Sequence, residues 1–178
     1  MINLSSGNPA VATVPANITI PQGGTIATFT VTPAAIDFGT AAFSDAELAA
    51  YGKFITADSS YNMEVTCKSD TLWTVSIKTT GDFTRSEGGS WTIPSSGLKV
   101  WGWYNWPQPP AGSWVYPSSD DPTKLASTAL ATSDTTLYRS AAGDNNQEIK
   151  LGFGFGLWIP VTIAQGTYQT QVTITMTE

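Results

Sequence analysis

The chain contains no histidine. That removes the commonest general base and metal ligand at neutral pH, and with it every Ser–His–Asp, Cys–His and HExxH arrangement. It holds one cysteine, Cys67, so no disulfide forms within the chain and stability rests on packing. Only Lys68 stands near enough in sequence to lower the thiol's pKa, so Cys67 reads as a small buried apolar residue and not as a nucleophile. Charge is scarce as well: Asp, Glu, Lys and Arg make up 12% of residues, against about 25% in ordinary globular chains. Eight basic residues oppose fourteen acidic ones, for a net charge of −6. The bases are scattered singly from Lys53 to Lys150, which excludes nucleic acid, whose binding needs clustered cations to release counterions. No run approaches the roughly 20 apolar residues that cross a bilayer, so no membrane insertion is expected. Residues 1–20 also lack the basic start and apolar run of a secretory leader. Either the numbering starts at a mature or recombinant N-terminus or the protein stays inside the cell, and the Thr-, Ser-, Asn- and Gly-rich composition favours the first, an extracellular protein.

What is present is two-residue alternation, the mark of strands with one buried face. Tyr61, Met63, Val65 and Cys67 alternate with polar residues, as do Trp73, Val75 and Ile77. Ser69-Asp70-Thr71 between them supplies turn chemistry, so the pair is predicted as a β-hairpin. Ile149, Leu151, Phe153, Phe155, Leu157 and Ile159 define another strand over about 147–159. Tyr168, Val172, Ile174 and Met176 define the last, and Gly166 breaks the chain before it. Further strands are expected near 11–20, 25–32, 36–39 and 97–106. Ser44-Asp45-Ala46-Glu47 has capping-box spacing and predicts one short helix at about 45–52. The segment 107–146, rich in Pro, Ser, Asp and Gly, reads mainly as long loops. The fold class expected is an all-β, two-sheet antiparallel sandwich of immunoglobulin-like or jelly-roll type. Residues 23–178 form it as a single domain, and residues 1–22 are an N-terminal arm.

Two segments carry a resemblance. Ile36-Asp37-Phe38-Gly39-Thr40 is similar to the strand that opens many secreted sandwiches. Leu157-Trp158-Ile159-Pro160, followed by Gly166-Thr167-Tyr168 and a Thr-rich closing strand, resembles the ending of pilin-like and spore-coat-U-like surface-fibre subunits of prokaryotes. The resemblance implies an immunoglobulin-like sandwich that polymerises with copies of itself. The chain departs from chaperone–usher subunits in lacking their internal disulfide. In such families an arm adds a strand to the next subunit. Here Ala12, Val14, Ala16, Ile18 and Ile20 make an apolar ridge suited to strand addition, which grows head-to-tail without closing. The other reading of 11–20 is the domain's own first strand. Pro15 and Pro21 remove N–H donors from one edge, which favours an edge position.

Trp101, Trp103, Trp106 and Trp114 crowd together with Tyr104. Such rings can stack on sugars, with Asn105, Gln108 and Asp120 as hydroxyl partners, which gives a carbohydrate-binding or adhesive module as the alternative function. They can equally pack on the bare stripe Gly152, Gly154 and Gly156, or form a subunit interface, with Leu98, Val100 and Tyr104 turned to the core. Gly152-Phe153-Gly154-Phe155-Gly156 lies within a strand pattern and is no nucleotide loop. Asp37, Glu64 and Glu148 are the acids in or beside strands, but nothing pairs them across a glycosidic bond. Asp120, Asp121 and Asp144 carry the oxygens a Ca²⁺ site would use, and read better as turn chemistry. No metal, cofactor or catalytic residue is therefore expected. Asn3-Leu4-Ser5 and Asn17-Ile18-Thr19 match the N-glycosylation sequon, making Asn3 and Asn17 candidates for covalent glycans.

Overall fold

The computed structural model describes residues 2–3, 17–19, 27–32, 38–57, 63–106, 111–115 and 132–178. The described residues lie mostly in strands, in several largely antiparallel sheets with one short helix, and no barrel closes among them. The expected all-β sandwich is present. One sheet runs β1 (Ile2–Asn3), β2 (Asn17–Thr19), β14 (Val172–Thr177), β6 (Thr74–Thr79), β11 (Thr135–Arg139) and β10 (Ser113–Trp114). The facing sheet runs β3 (Ala27–Thr32), β5 (Met63–Ser69), β12 (Ile149–Pro160) and β4 (Gly52–Thr56), with β9 (Leu98–Trp106) along the opposite edge of β12. A small third sheet joins β13 (Tyr168–Gln169), β7 (Phe83–Arg85) and β8 (Thr92–Ile93).

The core lies where the alternation puts it. Val65 and Cys67 of β5, Val75 and Ile77 of β6, Ile149, Leu151 and Phe153 of β12, and Ile174 and Met176 of β14 are wholly enclosed. Each such apolar side chain contributes about 1.5–3 kcal/mol relative to exposure. Cys67 is free and packed among them, and burial pushes its thiol pKa well above the usual range.

The predicted hairpin is not one. β5 and β6 belong to different sheets, so Ser69–Trp73 arches across the core where the strands were expected to lie side by side. Three contacts fix the arch. Ser69 is buried and its Oγ meets Thr71 N–H at 3.0 Å and the Glu178 carboxylate, while Ser69 O accepts from Asn146 N–H at 2.6 Å. Trp73 then drops into the core and stacks on Tyr138 with ring centroids 5.4 Å apart. Alternation is satisfied equally by a hairpin and by an arch, because both bury the same parity. Only the partners differ.

Other expectations change in detail. The loop expected over 107–146 contains β11, whose Thr-Thr-Leu-Tyr-Arg sequence pairs with β6 and buries Leu137 and Tyr138. The closing strand is split: Tyr168 pairs with Arg85 in the third sheet, and only Val172–Thr177 continue beside β6. Phe38–Thr40 form no strand, and Gly39 takes φ +69°, while Ile36 and Asp37 lie outside the described residues. The helix α1 spans Asp45–Ala49, shorter than 45–52, with the expected reciprocal capping box between Ser44 and Glu47.

Candidate functional site

Two surfaces follow from this topology. The first is the outer edge of β14. Its inner edge pairs with β6 from Val172 to Thr177, but its outer edge meets β2 only at Thr175, Met176 and Thr177, opposite Asn17, Ile18 and Thr19. That short ladder is parallel, whereas every other strand pair among the described residues is antiparallel. Within the isolated chain, then, part of the arm serves as its own first strand. Ile18 stands beside the core residue Met176 in register. Ala12, Val14, Ala16 and Ile20 lie outside the described residues. Asn3 and Asn17, the two sequon asparagines, are register partners of each other, and Asn17 is also the partner of Thr175.

The second surface is the outward face of β12. Odd positions of β12 enter the core, so Gly152, Gly154, Gly156 and Trp158 share the other face. A Cβ on Gly154 would lie 2.2–2.5 Å from three atoms of the Trp101 indole, so the ring occupies the place of the missing side chain. The tip of the Phe54 ring fills the corresponding place at Gly156, with Cζ 2.2 Å from that Cβ position, and the Trp158 indole abuts Gly52, three of its atoms 2.4–2.7 Å from the Cβ position there. Three aromatic rings thus replace missing side chains along one sheet face. They differ in exposure: Trp101 is 3% exposed, Phe54 is half-buried and Trp158 is 41% exposed.

The candidate tryptophans are therefore not one platform. Trp101 packs against Gly154, is enclosed, and its Nε1–H finds no acceptor among the described residues, so it presents no face to a sugar or a neighbour. Trp114 sits on β10, in the opposite sheet from Trp101, Trp103 and Trp106. The ladder between β9 and β12 also slips between Gly152 and Phe153, leaving Trp103 unmatched and setting Tyr104 opposite Gly152 and Trp106 opposite Lys150. This bulge reverses the expected parity. Leu98 and Val100 face the core as expected, but Tyr104 takes a register position on the glycine side. Asn105 stands opposite Leu151, while Gln108 and Asp120 lie outside the described residues.

Replacing Gly154 by Ala is expected to lower stability by about 2 kcal/mol, because the Trp101 ring must leave its seat. The same change in a Trp101→Ala background should cost almost nothing. Denaturant unfolding of the four-member cycle measures this coupling.

The acids have structural employment. Asp144, 1% exposed, accepts from Ala111 N–H and Gly112 N–H at 2.8 Å each, and from Ala141 N–H and Tyr138 O–H at 3.2 Å each. Its lone pairs face donors and not a cation. Burial, and then the Asp144 charge, push the Tyr138 phenol pKa up. Glu64 pairs with Lys150 at 3.8 Å, Glu148 is exposed, and Asp37, Asp120 and Asp121 lie outside the described residues. Among the described residues no group of three His, Cys, Asp or Glu side chains is placed to hold a metal ion. No described helix is long and apolar enough to cross a membrane.

No protein-family model, curated protein or solved structure matches the chain. Sequence reasoning passed over Trp158 as a surface residue. The signal for it was present: Trp158 has the parity of Gly152, Gly154 and Gly156 and not that of Leu157 and Ile159.

Proposed function

We propose that the chain is a structural subunit of an extracellular filament, joined to copies of itself when residues 1–22 add a strand to the neighbouring subunit. The observation that carries this reading is the outer edge of β14, which the chain's own β2 covers at only three positions. Beyond them the N–H and C=O groups of Val172–Ile174 have no strand beside them among the described residues. Such an edge is a template for an added strand. The apolar ridge Ala12, Val14, Ala16, Ile18 and Ile20 has the parity to continue the core alongside Ile174 and Met176. Exchange of the arm between copies replaces a pairing that already exists, so a longer ladder can form at small net cost. The contact is heterologous and propagates.

A scarcity of charge and a surface of Thr, Ser and Asn fit display outside the cell, where Asn3 and Asn17 are the sites proposed for glycans. The function proposed is mechanical. Negative-stain microscopy of the purified full-length chain is expected to show unbranched filaments one subunit wide. Uniform monomers across a range of concentrations would contradict the proposal.

A further inference from the structure

We propose that the outward face of the Trp158 indole is a stacking platform for a neutral saccharide, a site separate from the filament contact and independent of it. The Nε1–Cε2–Cζ2 edge of the indole rests against Gly52, at a distance that leaves no room for a Cβ, so the ring is held there. The residue is nevertheless 41% exposed. A ring held along one edge and still partly open to solvent offers a planar apolar surface that is positioned before a ligand arrives. The half-buried Phe54 and Pro160 flank it: Phe54 is its register partner across β4, and Pro160 is two residues on along β12.

A sugar needs hydroxyl partners as well as a ring, and the edge of β4 has them. Val161 N–H donates to Tyr51 O at 3.3 Å, and Ala57 N–H donates to Phe155 O at 3.0 Å. Odd-numbered residues of this stretch therefore bond to β12. Alternation turns the main-chain groups of Gly52, Phe54 and Thr56 to the opposite edge, along which no described strand runs. Donors and acceptors thus alternate along a line beside the indole, with the exposed Thr56 hydroxyl at its end. The single charge on β4, Lys53, is held by Glu47 at 3.0 Å and by Ala42 O at 3.0 Å, so the strand has no free charge for an ionic ligand. A neutral ligand fits.

The approach to the platform carries backbone strain. Tyr51 holds φ +60°, a left-handed conformation that costs a non-glycine residue roughly 1–2 kcal/mol, and its side chain is 78% exposed. Strain of this kind concentrates at binding sites. Here it sets the turn into β4 that puts Gly52 against the ring, and it leaves a second aromatic side chain in solvent one residue away.

The test is calorimetric titration of the full-length protein with neutral oligosaccharides of glucose, N-acetylglucosamine, mannose and xylose. At least one series is expected to bind. Trp158→Ala should weaken that binding about tenfold or more, the loss of one stacked ring. Trp158→Phe should retain part of it, and Trp91→Ala, which removes another exposed indole elsewhere, should leave it unchanged. Far-UV circular dichroism establishes that each variant is folded. Absence of binding across all four series, or binding that Trp158→Ala leaves intact, overturns the proposal. So does a Trp158→Ala protein that loses self-association while sugars have no effect, since the ring would then be a contact between copies of the chain.

Discussion

Deleting residues 1–22 leaves a folded, soluble chain that no longer forms filaments. The fold survives because, among the described residues, every fully enclosed core residue lies from Val65 onward, and β14 keeps its six-position ladder with β6. What the deletion removes is β1, β2 and the apolar ridge around Ile18. The outer edge of β14 then has no strand beside it among the described residues, and no donor remains to fill it. The effect on assembly is all-or-none, because a head-to-tail polymer needs one donor strand at each junction. Sedimentation velocity should find only monomers where the full-length chain pellets. A synthetic peptide of residues 8–22 should bind the truncated protein at one site and raise its melting temperature, as any ligand selective for the native state does. Polymers formed by the truncated chain would show that the contact lies elsewhere.

Asp144→Ala is expected to destabilise the sandwich by about 3 kcal/mol, among the largest effects available to a single substitution. The carboxylate gathers three N–H groups and a phenol, tying Ala111–Gly112 to the turn after β11. Removing it strands those donors in a site where Gly112 is packed too tightly for rearrangement. A Cβ there would lie 2.4 Å from Arg139 O and 2.6 Å from Asp144 Oδ2. Asp144→Asn keeps one acceptor oxygen and its cost should be intermediate, since its amide group would meet N–H donors head-on. Urea unfolding gives the difference directly. A loss below about 1 kcal/mol for the alanine variant would mean that water replaces the carboxylate, and that the loop is less dry than its burial implies.

The sandwich was legible in the residues because its central strands obey parity throughout. β12 reads as Ile, Leu, Phe, Phe, Leu, Ile on one side, and those six side chains are all in the core. The short helix was legible from Ser44 and Glu47 alone, since capping is a local interaction. Partnership was not legible. Whether Ser69–Trp73 turns back or arches across depends on Asn146 and Glu178, far away in sequence. β11 was missed because a five-residue strand with polar flanks carries too little alternation, and the buried Asp144 that follows it looks like a turn residue. The bulge at Trp103 hid the assignment of the aromatic residues. A one-residue slip flips the parity of every later position, so the core-side place that spacing assigns to Tyr104 is not the one its register gives. Trp101 on Gly154 belonged to a packing the glycine stripe had indicated, but no sequence rule separates an indole enclosed at 3% from one open at 41%.

The central claim is that the strand beside β14 comes from another copy of the chain. Asn17 and Thr175 are register partners, so cysteines placed at both positions sit within reach of a disulfide, with Cys67 too deeply buried to interfere. Filaments of the Asn17→Cys, Thr175→Cys protein, oxidised and run on a non-reducing denaturing gel, should give a ladder of covalent multimers. A single band of internally cross-linked monomer would contradict the account.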